Sequence, residues 1–111
     1  MTQNNFNRIL LSAVEESLAS SLGDSSKQAI FFHLESTFKL KKENIPSNLG
    51  EFARALEGIF GPGAPFLEKL ITKRLHQKLG IQFEEAESRN FIQSIDSAKK
   101  HSAPKGELLT R

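Results

Sequence analysis

The chain has 111 residues, 38% of them apolar, with nine Phe, no Trp, Tyr or Cys, and a formal charge of +2. That length gives room for one domain, which buries roughly two thirds of the surface of its unfolded chain and needs no metal or disulfide to fold. The missing cysteines exclude disulfides, thiolate zinc sites, iron–sulfur ligation and thiol nucleophiles, and the apolar share is too high for a wholly disordered chain.

The first apolar stripe, Phe6, Ile9, Leu10, Ala13, Val14, Leu18 and Leu22, runs at spacings of three and four and predicts a helix from Asn5 to Leu22. Gly23 supplies the stop, and Asp24 or Ser25 is placed to cap a second helix. In this helix, from Ser25 to Phe38, the residues Ala29, Ile30, Phe31, Phe32, Leu34 and Phe38 wrap most of the way round the axis. A helix apolar on nearly every side belongs inside a bundle, so this is the expected central helix. Lys39 to Ile45 reads as a basic, polar connection. Pro46 biases Ile45 towards extended geometry, and Ser47 or Asn48 then caps a third helix carrying Leu49, Phe52, Ala53, Leu56, Ile59 and Phe60.

Gly61-Pro62-Gly63 stops the third helix. Pro65 suits the first turn of a fourth, with Phe66, Leu67, Leu70, Ile71, Leu75 and Leu79 as its buried stripe and Gly80 as its end. A fifth helix is expected from about Glu84 to Lys100. It is acidic at its start and basic at its end, as the helix dipole favours, and its stripe is thin: Phe91, Ile92, Ile95 and Ala98. Residues 102–111 show no periodicity, contain Pro104 and Gly106, and read as a flexible C-terminal tail. The expected fold is therefore all-α, a compact antiparallel helical bundle of about five helices forming a single domain over 1–101. The longest apolar run, Ala29 to Phe32, is far short of the roughly 20 residues of a membrane span, and Glu15 and Glu16 interrupt the one candidate leader. No membrane association is expected, and the expected location is the cytoplasm.

The chemistry-bearing residues do not assemble into a site in this reading. His33, His76 and His101 fall on different elements, with no pair four apart on one helix, so no metal ligands are predicted. The neighbours in Glu15-Glu16 and Glu84-Glu85 point about 100° apart on a helix, which suits solvation better than shared acid–base work. No G-x-S-x-G elbow is present. In Gly61-Pro62-Gly63-Ala64-Pro65 the prolines have no N–H to offer a phosphate, and a tight corner between helices is its expected role. No catalytic residue, cofactor or small-molecule substrate is predicted, and the chain is not read as an enzyme.

Two surfaces are candidates for partners. The fifth helix offers Phe91, Ile92 and Ile95, which either close the bundle or bury against a protein partner or a second copy. The fourth offers a basic ridge of Lys69, Lys73 and His76 with Lys78, which together with Lys99 and Lys100 and the lysines at 39, 41 and 42 could contact nucleic-acid phosphates. Glu68 and the acidic start of the fifth helix dilute that field, and no Trp or Tyr is present to stack on bases. A non-enzymatic protein–protein interaction module is the leading expectation, and a nucleic-acid-associated regulator is the alternative.

One further pattern runs from Leu22-Gly23-Asp24 through Ala29-Ile30-Phe31-Phe32-His33-Leu34-Glu35, the segment Leu40 to Pro46, Phe52 and Leu56 to Ile59-Phe60-Gly61, Gly63-Ala64 and Leu67-Glu68. Over about residues 15–80 it resembles the small archaeal helical domains called Nitrosopumilus output domains. The resemblance implies an archaeal signal-transduction setting downstream of a sensor, with no enzyme activity. The matching positions are helix stops and core residues, so no functional residue is carried over. The chain is too short to include a receiver or sensor domain, which implies action in trans or through self-association.

Overall fold

The computed structural model describes residues 3–83 and 90–101, and among them every regular element is helical. Helix α1 spans Gln3–Leu22, α2 Asp24–Phe38, α3 Leu49–Phe60, α4 Ala64–Leu79 and α5 Phe91–His101, with single 3-10 turns at Lys42–Asn44 and Gly61–Gly63. Residues 84–89, which include the expected start of the fifth helix, and the expected tail at 102–111 lie outside the described residues.

The stripe predicted for α1 is the one it buries: Phe6, Leu10, Ala13, Val14 and Leu18, joined by Ser17. The chain reverses at Gly23, whose φ of 93° and ψ of 160° suit a residue without a Cβ. The side-chain cap expected from Asp24 or Ser25 is not formed. Asp24 lies inside the first turn of α2, 3.6 Å from the Lys27 ammonium. At its other end α2 closes on Lys39 in the left-handed region (φ 58°), and Leu40 N–H donates to the Leu34 carbonyl at 3.0 Å. This closure drops Leu40 beside Leu34 in the core, the apolar contact that accompanies such caps.

The connection from 39 to 45 therefore departs from the polar segment expected, because Leu40 and Ile45 are both buried. Ile45 also takes helical angles, φ −59° and ψ −46°, although Pro46 comes next. Its N–H donates to the Lys42 carbonyl and its own carbonyl accepts from Asn48 N–H at 3.0 Å, so a turn anchored by a buried side chain prevails over the local bias.

The middle of the fold is α4, not α2 as the sequence predicted. Helix α4 packs against α1, α3 and α5, whereas α2 packs on α1 and on the turn at 42–44 and buries only Ile30 and Leu34. The sequence hides this because α4 buries two polar residues, Thr72 and His76, beside Ala64, Leu67, Ile71 and Leu75. Both are satisfied by their own helix: Thr72 Oγ1 donates to the Glu68 carbonyl at 2.9 Å, and His76 Nδ1–H donates to the Thr72 carbonyl at 2.8 Å. Phe66, predicted in the buried stripe of α4, lies round the helix from Leu67 and is exposed.

Helix α5 closes the other side of the core. Its first turn is capped by Asn90, whose Oδ1 accepts from Gln93 N–H at 3.0 Å, and Phe91 meets Phe52 of α3 with ring centroids 6.3 Å apart. The segment at 81–83 returns along α4 and sets the Phe83 ring edge-on to His76 at 5.4 Å.

Candidate functional site

Among the described residues the most exposed large apolar side chain is Phe32, at 74%, ahead of Phe66 on α4 at 65%. It stands two residues from Ile30 and two from Leu34, each about 200° away round the helix, and so points directly opposite the side that α2 buries. Beside it Phe31 is half-buried under the Lys42 ammonium, which lies 5.6 Å from the ring centroid. Phe38 closes the helix, edge-on to His33 at 5.6 Å. A cleft of about 470 Å³ opens along this side of α2, walled by Glu15, Gln28, Phe31, Phe32, Glu35 and Lys42. Lys42 pairs with Glu15 at 2.7 Å, while Glu35 makes no hydrogen bond or ion pair among the described residues. The result is an aromatic surface with a charged rim, on a helix too apolar for the edge position it occupies.

A second cluster ties α1 to α4. Glu16 accepts from Lys78 Nζ at 2.8 Å, from Arg74 at 3.3 Å and from Ser12 Oγ at 3.1 Å, and Arg74 also reaches Ser20. The hydrogen bond from Lys78 holds the Glu16 carboxyl below its ordinary value of 4.5. The adjacent carboxylates expected only to solvate α1 thus reach different neighbours, Glu15 the turn at 42–44 and Glu16 the helix α4. Sequence spacing gives no sign of this, since the partners of Glu16 are 58 and 62 residues away. On α4 itself the Glu68 carboxyl is pushed up, by burial first and by the nearby Glu57 charge second.

These two carboxylates act on stability with opposite signs. A depressed carboxyl such as Glu16 contributes stability that is present above its ordinary value and is lost as pH falls through the lowered one. The raised Glu68 favours the fold when protonated. Glu16→Gln is therefore expected to lower Tm at neutral pH and to converge with wild type as the solution is acidified below 4.5, measured by thermal melts over roughly pH 3–7. A constant gap across that range would remove the ionic role assigned to Glu16.

The residues predicted to bind partners are not brought together. Phe91 and Ile95, offered by α5 as a binding stripe, are buried in the core at 6% and 2% exposure, and only Ile92 faces outward. They close the bundle because Phe52 and α4 already supply the surface they need. The basic ridge on α4 is likewise broken. His76 is buried at 4% exposure by its neighbours on α4 and by Phe83. Lys78 lies nine residues from Lys69, about half a turn round the helix, and is held by Glu16. Lys73 points to solvent, Lys69 and Lys99 have partners, and Lys100 pairs with Asp96 at 3.3 Å.

Gly61-Pro62-Gly63 forms the tight corner between α3 and α4. Among the described residues no group of three or more His, Asp or Glu side chains is placed to hold a metal ion, and no helix is long and apolar enough to cross a membrane. No protein-family model, curated protein or solved structure matches this chain.

Proposed function

We propose that this chain is a non-enzymatic protein–protein interaction module that binds through the outer face of α2. The observation that carries the reading is Phe32, a large ring 74% exposed on the side of the helix opposite its own core residues. Exposed apolar rings gain free energy when a partner surface covers them, and aromatic anchors of this kind contribute much of the energy of protein interfaces. Helix α5, whose apolar residues serve the core, is not the binding element in this reading. We further read the helices as an antiparallel bundle of about five. The resemblance to archaeal output domains supports a cytoplasmic signalling role for such a module.

Replacing Phe32 with the photocrosslinking residue benzoylphenylalanine, and irradiating cells that express the chain, is expected to give a discrete protein adduct. The same label at Glu57, on the exposed side of α3, is expected to give none. Absence of any adduct from position 32 contradicts the reading.

A further inference from the structure

The outer face of α2 carries a pattern that points to its occupant. Asp24, Gln28, Phe31, Phe32 and Glu35 fall within an arc of about 100° on a helix advancing 100° per residue, and Lys39, the left-handed C-cap whose ammonium donates to the Ser36 carbonyl at 3.2 Å, follows Glu35 at the end of the helix. Their spacings are four, three, one, three and four residues, the same read from either end. Reversing the direction of such a helix leaves its face in register with itself. In an antiparallel pair with a two-fold axis between Phe31 and Phe32, each Phe32 meets the other copy's Phe31, Gln28 meets Glu35, and Asp24 meets Lys39. Every contact occurs twice, as an isologous interface requires.

The chemistry of the paired positions matches. Phe32 enters the cleft lined by Phe31, Gln28 and Glu35. The Gln28 amide can donate to Glu35, a carboxylate that has no partner of its own among the described residues. The acidic first turn of one helix, with the Asp24 side chain 79% exposed, lies against the basic C-cap of the other, and antiparallel helix dipoles favour the same arrangement.

We propose that the partner of this face is a second copy of the chain, joined through antiparallel α2–α2 pairing. This rests on the reading of α2 as the binding surface and names its occupant.

The absence of native cysteine gives a clean test. An equimolar mixture of Gln28→Cys and Glu35→Cys proteins, oxidised mildly, is expected to yield the mixed disulfide between positions 28 and 35. Either protein alone is expected to crosslink far less. Sedimentation of the unmodified chain over a concentration series should show a monomer–dimer equilibrium. Phe32→Glu should weaken it by about a hundredfold, and Lys39→Glu by about tenfold, because two like-charge contacts arise at once. The double variant Asp24→Lys, Lys39→Glu should recover most of the wild-type affinity. A monomer at every concentration, or a disulfide formed preferentially between two copies of position 28, overturns the inference. If the purified chain is monomeric while the label at position 32 captures a different protein in cells, the second copy is wrong and the interaction reading survives. If the label captures nothing, both fall.

Discussion

Phe52→Ala is expected to lower the free energy of unfolding by about 3–5 kcal/mol, the range for removing a buried aromatic ring from a core that relaxes only in part. Phe52 is fully buried on α3 and its ring packs 6.3 Å from that of Phe91, so the substitution opens a cavity where α3 meets α5. Domains of this size hold a total of about 5–15 kcal/mol, so the loss takes a large part of the stability. Urea denaturation followed by circular dichroism checks it: the midpoint should fall sharply while the slope stays near that of wild type. A loss below about 1 kcal/mol, in the range of surface substitutions, would remove Phe52 from the centre of the core.

Gly23→Ala should cost about 1–3 kcal/mol. The penalty comes from the backbone and not from crowding, because a Cβ at position 23 would meet nothing within 4 Å. With φ 93° and ψ 160° the residue occupies a region that side chains with a Cβ hardly enter, and both its neighbours are fixed in helices. Its N–H donates to the Ala19 carbonyl at 2.8 Å and its carbonyl accepts from Lys27 N–H at 2.9 Å, so relaxing the angle would break the end of α1 or the start of α2. The substitution should lower Tm with little change in the circular dichroism of the folded state. An unchanged Tm would mean that the corner adopts another conformation in solution.

Much of the fold is legible in the sequence because it is written locally. The three-and-four spacing of α1 and α3 identifies their buried faces, and Gly23, Gly61 and Gly80 mark helix ends where the backbone takes positive φ. The features that sequence reasoning misses depend on tertiary neighbours. In the sequence His76 falls in the basic ridge and Thr72 outside the apolar stripe of α4, because nothing there states that their polar atoms are satisfied within the helix. Helix α2 is read as central on the strength of apolar residues that wrap round it. Leu40 and Ile45 escape notice because each is isolated among polar neighbours, so neither contributes to a period. One local signal does mark the observed start of α5: Asn90, just before Phe91, is a favoured N-cap.

The candidate surface is legible only as an anomaly. The sequence shows that α2 is apolar nearly all round, but periodicity cannot distinguish a helix surrounded by its own chain from one that keeps a face for another molecule. Among the described residues that face is left open. On α5, Phe91 and Ile95 are taken up by the core it closes, and Ile92 faces outward.

Binding through α2 requires that Phe32 have no role in the folded monomer, and the most direct measurement is the unfolding free energy of Phe32→Gln, taken at dilution where any dimer has dissociated. It should match wild type to within about 0.5 kcal/mol, as for a substitution on an open surface, while crosslinking or self-association through α2 is lost. A loss of about 3 kcal/mol or more, the signature of a buried aromatic side chain, would place Phe32 in the monomer's core and contradict the assignment of α2 as the binding face.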